Sequence, residues 1–263
     1  MQLQGSLAEY TAAGIAVMAI SPDPVADLAD FAATHGITYP LLSDADASVI
    51  RAYGILNTLL DETDEDYGIP YPGSYLVGRD GRVEEKSFHR EYQVRETALT
   101  TLRTGFGVDA AAPGPDGAAA PAAEVVAPGV RIRATLGAFE MSFMQHADLY
   151  VTLEPDEGLH VYGRPIAEGY QAVEVHVDVP EGVRVGEAVE PATRPMRIEG
   201  LSDEFNVIEG AAPIRIPITL GISPSEDLTE LRIGVQVRYQ ACTDRMCLVP
   251  AQADLEILVP LRE

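Results

Sequence analysis

The sequence predicts two domains of different class: an α/β layered domain over residues 1–106 and an all-β antiparallel sandwich over 130–263, joined by a linker at 107–129. Three observations carry this. Helix-spaced and strand-like apolar runs alternate through the first segment. Ala, Pro and Gly dominate 107–129 without apolar periodicity. Beyond it, apolar and polar residues alternate with period two in run after run.

In order, residues 3–13 read as a helix stopped by Gly14, and Ile15-Ala16-Val17-Met18-Ala19-Ile20 as a buried strand. Val25, Leu28, Phe31 and Ala32 recur at helical spacing over Val25–His35, with Gly36 as the stop. Tyr39-Pro40-Leu41-Leu42 is extended, and a helix over 45–53 ends at Gly54. The acidic run 61–66 reads as a solvated surface loop in preference to a divalent-metal site. Two apolar runs at 74–78 and 83–88 flank Asp80-Gly81, a hairpin signal, and a last helix covers 94–104. The linker is long enough to span roughly 25–30 Å as a flexible chain, so the second domain can reach an active site on the first or a separate partner. After it, strands are expected at 147–153, 173–179, Ile214–Leu220, 231–240 and 254–260, with Pro217 marking an edge or a bulge.

The 263 residues carry 41 acidic and 18 basic side chains, a formal charge of −23. That argues against nucleic acid and anionic membrane surfaces as partners, since both need a positive face. No window approaches the run of 18 or more apolar residues of a membrane span, and the N-terminus lacks the basic and apolar regions of a signal peptide, so the chain reads as soluble and unaddressed.

The 2 cysteines, Cys242 and Cys247, lie close together in Tyr239-Gln240-Ala241-Cys242-Thr243-Asp244-Arg245-Met246-Cys247-Leu248-Val249-Pro250. Odd positions of the preceding strand face the core, and continued parity turns Cys242 toward solvent. At a strand turn their Cα atoms can approach to roughly 5.5 Å, within disulfide range. A bridge closing so short a ring stabilises by only about 2 kcal/mol, which makes it a poor staple and a better redox switch. Three readings stay open on the residues alone: redox exchange, an inert disulfide or buried thiol pair, and a metal site completed by His160 and His176, whose spacing does not advertise zinc. Arg238 and Arg245 would lower a thiol pKa, and Asp244 would oppose that.

That cysteine run, with Gly158-Leu159-His160-Val161-Tyr162 and Asp203-Glu204-Phe205 before it in the same order, resembles the N-terminal domain of the thiol:disulfide interchange protein DsbD. Leu159 departs from the aromatic that many members carry there. The resemblance implies an immunoglobulin-like sandwich that exchanges disulfides with other thiol-disulfide redox proteins outside the cytoplasm, without cofactor or metal. Cys247 would form the mixed disulfide with a partner and Cys242 would resolve it. Asp203, Glu204 and Phe205 would form a cap over the sulfurs, and His160 and Tyr162, which share parity, would line the pocket.

The first domain resembles the thioredoxin-like redoxins of the AhpC/TSA peroxiredoxin class through His35-Gly36-Ile37-Thr38-Tyr39-Pro40-Leu41-Leu42-Ser43-Asp44, Arg51-Ala52-Tyr53-Gly54 and Gly68-Ile69-Pro70-Tyr71-Pro72-Gly73-Ser74-Tyr75-Leu76-Val77. Pro72 sits where such folds carry a cis-proline. The family's catalytic cysteine and the strand before it have no counterpart in this sequence. The expectation is therefore an incomplete domain, with Met1 an internal methionine or the domain degenerate, and a gap in the sheet between the strands at Ile15 and Ser74. The function expected is thiol:disulfide interchange through Cys242 and Cys247. The alternatives are a peroxiredoxin-class antioxidant protein whose catalytic segment is missing and a non-catalytic interaction module with a structural disulfide.

Overall fold

A computed structural model describes residues 2–64, 67–89, 91, 93–107, 119–197, 204–208 and 213–262. The chain divides into two units, Met1–Gly117 and Ala118–Glu263. In the first, the expected N-terminal helix is two short ones, α1 (Gln2–Gly5) and α2 (Leu7–Ala12), parted at Ser6. Strand β1 (Ala19–Ser21) follows, then α3 (Val25–His35), whose limits are those of the apolar spacing. Gly36 ends α3 at φ 64°, a left-handed conformation in which its N–H reaches Ala32 O. Strand β2 (Leu41–Ser43) pairs in parallel with β1, Ala19 opposite Leu41 and Ser21 opposite Ser43.

Helix α4 (Ser48–Ala52) starts on a buried carboxylate. Asp44 accepts from the Val49 and Ile50 amides at 3.1 and 2.8 Å, satisfying donors that a helix start leaves open. Strands β3 (Gly73–Val77) and β4 (Val83–Phe88) form the expected hairpin, with Gly81 at φ 81° in its turn. Then come β5 (Arg95–Glu96), α5 (Ala98–Thr100) and a π-helical turn over Thr101–Gly105, where one regular helix was expected. Thr101 Oγ1 bonds back to Thr97 O at 3.3 Å, the local competition by which threonines weaken regular helices.

The β1–β2 and β3–β4 pairs are separate two-stranded sheets, as the expected gap requires. Consequently β1 is three residues long and half-exposed instead of a buried 15–20 strand. Helix α3 buries none of its residues: Val25 and Phe31 are exposed. The expectation for Pro72 is also corrected, because the cis bond among the described residues is Arg164–Pro165. Tyr71–Pro72 is trans and leads extended chain straight into β3.

Tyr10 anchors this unit. Its hydroxyl donates to Ala98 O at 3.0 Å and its ring stands edge-on to Phe106. Burial, opposed by a hydrogen bond with Thr101 and helped by the Glu96 charge, pushes its pKa up to about 12. The unfolded tyrosine therefore ionises first, and stability held below pH 10 is lost as pH rises through 12, by about 3 kcal/mol at most. Urea melts across that window should show a steeper loss for the wild type than for Tyr10→Phe. Parallel profiles would refute the assignment.

The second unit is built of strands. Strands β6 (Ala122–Ala127), β7 (Val130–Leu136) and β8 (Gln145–Pro155) form an antiparallel run, and β14 (Ile214–Leu220) and β11 (Val183–Val185) extend the sheet to the order β11-β14-β8-β7-β6. Residues 122–127 lie inside the stretch expected to be linker. Their Ala-rich alternation hides an edge strand that pairs Val125 with Ile132. A second sheet has the order β10-β15-β17, from β10 (Glu174–Asp178), β15 (Glu230–Tyr239) and β17 (Ala251–Pro260). Ile132, Leu149 and Ile216 of the first sheet share one buried cluster with Ile233, Val237 and Ile257 of the second, so the two sheets face each other across a core. Pro217 falls where β11 has ended, and its carbonyl accepts from the Gly186 N–H at 2.7 Å. No helix among the described residues is long and apolar enough to cross a membrane.

Candidate functional site

A third sheet, β12 (Arg194–Arg197), β13 (Glu204–Ile208), β9 (His160–Tyr162) and β16 (Ala241–Cys242), in the order β12-β13-β9-β16, carries the cysteines. Strand β15 ends at Tyr239, whose hydroxyl donates to Pro128 O at 3.1 Å. After Gln240 the chain joins this other sheet, where Ala241 pairs with Val161 and Cys242 with His160. The change of sheet breaks the side-chain parity of β15. Cys242 is therefore fully buried, not turned to solvent as continued alternation predicts, and Cys247 is half-buried.

Cys242 and Cys247 are joined by a disulfide, with their Cα atoms 4.0 Å apart. This is closer than the spacing expected of a hydrogen-bonded strand pair, and the flanking bonds give the reason. The Thr243 N–H reaches Met246 O and the Leu248 N–H reaches Ala241 O, both at 2.8 Å, so the cysteines form the non-hydrogen-bonded pair of a tight hairpin. Thr243 organises the turn: its Oγ1 accepts from the Arg245 and Met246 amides at 3.2 and 3.0 Å. Asp244 and Arg245 at its tip are exposed.

Over the disulfide lies an aromatic enclosure. Tyr162, Phe205, Val207 and Cys242 form one buried cluster, with Ile166, Tyr170, Met196 and Cys247 packed against it. Phe205 is fully buried, its ring 5.2 Å from Tyr162 and 4.8 Å from Tyr170. The Tyr162 hydroxyl is 3.8 Å from Cys247 Sγ, and burial, with Tyr170 nearby, raises its pKa. It is thus a protonated donor at neutral pH, placed to hydrogen-bond a Cys247 thiolate. His160 is buried beside it, the rings 5.2 Å apart and edge-on.

The structure therefore brings together Cys242, Cys247, His160, Tyr162 and Phe205. Glu204 opens β13 opposite Arg197, and Asp203 lies outside the described residues. Pro72 belongs to the other unit. His176 is exposed on β10, in a different sheet from His160, and no group of three or more His, Cys, Asp or Glu among the described residues could hold a metal. Sequence reasoning missed Tyr170, Met196 and Ile166. Tyr170 sits in Ala167-Glu168-Gly169-Tyr170-Gln171, where no periodicity marks it. Gln240 was legible only as part of the cysteine motif. Its buried amide accepts from the Gln171 N–H at 3.2 Å and donates to Leu248 O at 3.1 Å, tying the Tyr170 loop to the cysteine hairpin.

Comparison with known proteins gives two matches along the chain. Residues 1–86 match the AhpC/TSA family and residues 132–259 match the family described as thiol:disulfide interchange protein DsbD, N-terminal. A peroxiredoxin-like protein of Mycobacterium tuberculosis is 35% identical over 108 residues, 39% of this chain and 63% of the relative. Alkyl hydroperoxide reductase E of Mycobacterium bovis is 32% identical over 102 residues, 38% of this chain and 62% of the relative. The chain thus spans less than two thirds of the length of these relatives. Among solved structures, the N-terminal periplasmic domain of ScsB from Proteus mirabilis is similar at 14% identity and TM-score 0.40, over 53% of this chain and 51% of that one. The two family matches and the Cys242–Cys247 disulfide support thiol-disulfide redox activity in general. Along the chain, a segment similar to the AhpC/TSA family, residues 1–86, is followed by one similar to the DsbD N-terminal family, residues 132–259.

Proposed function

We propose that the second unit exchanges disulfides with other thiol-disulfide redox proteins through Cys242 and Cys247. The observation that carries this reading is the asymmetry of the pair: one sulfur belongs to a fully buried residue, the other to a half-buried one beneath aromatic side chains. A reactive pair has to be hidden from adventitious thiols yet reachable by the right partner, and a half-covered sulfur meets both demands. In the reduced form the Cys247 thiolate attacks the partner's disulfide and forms a mixed disulfide, releasing one partner thiol. Cys242 then attacks Cys247 Sγ and releases the second. The protein dithiol is oxidised and the partner disulfide is reduced, two electrons moving in all. Run backward, the same steps oxidise the partner.

The DsbD-type match supports an extracytoplasmic setting, and the redoxin-type segment supports an antioxidant one. Residues 1–117 contain no cysteine, so thiol chemistry within this sequence rests on the second unit. The test is the reduction potential of the pair, from equilibration in glutathione or dithiothreitol buffers with trapping of free thiols. A value between roughly −120 and −270 mV is expected of an exchange protein, and one below about −300 mV would mark an inert structural bridge.

A further inference from the structure

We propose that the open pocket beside the cysteine hairpin, lined by Gln171, Arg238, Pro250, Ala251 and Gln252, receives an acidic side chain of the polypeptide whose disulfide exchanges with Cys247. This rests on the exchange reading and adds to it the chemistry of the partner.

Arg238 is the reason. In a chain of net charge −23, its neighbouring carboxylates are engaged elsewhere. Its cross-strand neighbour on β10 is Glu174, and that carboxylate is taken by Arg164. On the same strand, Arg232 by contrast is paired with Glu256 at 2.6 Å. The Arg238 Nε donates to Gln252 Oε1 at 3.2 Å, while Gln252 Nε2 is held by the Asp254 carboxylate, which also accepts from Gln236 at 3.1 Å. This chain of bonds fixes one edge of the guanidinium. Its two Nη groups have no hydrogen-bond partner among the described residues and are free for a bidentate carboxylate contact.

The pocket is tied to the redox site through its sequence neighbours and one buried amide. Gln171 follows Tyr170 of the aromatic enclosure, Pro250 follows Cys247 after Leu248 and Val249, and the Gln240 amide bonds both the Gln171 N–H and Leu248 O. Met246 and Val249, 66% and 84% exposed, flank Cys247 and offer apolar surface that a polypeptide segment would cover. The geometry fits a partner with Asp or Glu close to its reactive cysteine.

The reduced full chain is mixed with two disulfide-linked, end-blocked peptides that differ only in carrying Glu or Gln beside the cysteine, and oxidation of Cys242 and Cys247 is followed at low salt. The acidic peptide should react about fivefold faster, the size of one partly exposed ion pair. Arg238→Gln should abolish that preference, bringing the ratio of the two peptide rates to one whatever it does to the rate they share. Arg232→Gln, the same charge change outside the pocket, should retain the preference. Equal rates for the two peptides, or an equal effect of both substitutions, would overturn the proposal while exchange itself stands. Glutathione disulfide reacting as fast as the acidic peptide, with equal sensitivity to Arg238→Gln, would overturn the assignment to a polypeptide. Failure of every disulfide to oxidise the wild type would instead remove the exchange reading and the subsite with it.

Discussion

Cys247→Ser is expected to reduce disulfide exchange to background, whereas Cys242→Ser is expected to leave a protein that captures its partner covalently. The difference follows from access. A thiolate must reach a partner's sulfur, and Cys242 is fully buried while Cys247 is half-exposed under Tyr162. With Cys242 gone, the mixed disulfide on Cys247 has no resolving thiol and accumulates. Incubation with glutathione disulfide should therefore give Cys242→Ser one bound glutathione by mass, and Cys247→Ser none. Either variant loses the same short cross-link, worth about 2 kcal/mol, so a contrast between them reports chemistry and not folding. The opposite pattern would reverse the roles of the two cysteines.

Phe205→Ala should have two separable effects. Removing a fully buried phenylalanine costs about 3–5 kcal/mol of unit stability, as for any large-to-small change in a packed cluster. On the cap reading, in which the ring that meets Tyr162 and Tyr170 shields the sulfurs, it should also speed reduction of the native disulfide by dithiothreitol by roughly tenfold. Ile132→Ala in the core between the two facing sheets is the control: it should cost about 2–5 kcal/mol and leave the reduction rate unchanged. If Phe205→Ala behaves like Ile132→Ala, the residue is ordinary packing and the cap reading fails.

What could be read from the sequence was whatever depends on local periodicity. The odd positions of β15, from Leu231 to Tyr239, are buried as alternation requires. Helix α3 has the limits that its apolar spacing and Gly36 set. Periodicity fails where the chain changes partners. At Gln240 the backbone leaves one sheet for another, so the facing of Cys242 could not be extrapolated from β15. It also fails where burial depends on distant neighbours. The apolar face of α3 reads as core, yet the two-stranded β1–β2 sheet is too small to cover it. The companions of the cysteines were legible only through motif resemblance, and Tyr170, outside every motif, was not legible at all.

The non-hydrogen-bonded placement of Cys242 and Cys247 bears on how electrons can pass through this unit. The backbone bonds that set the hairpin lie on either side of the pair, from Thr243 to Met246 and from Leu248 to Ala241, and none runs between the cysteines themselves. Cleaving the sulfur–sulfur bond therefore removes no rung of the ladder, and the pairing of Cys242 with His160 does not depend on it. The oxidised and reduced proteins can share one scaffold. Turnover on such a scaffold calls for little reorganisation of the main chain, whether a partner arrives to donate electrons or to collect them.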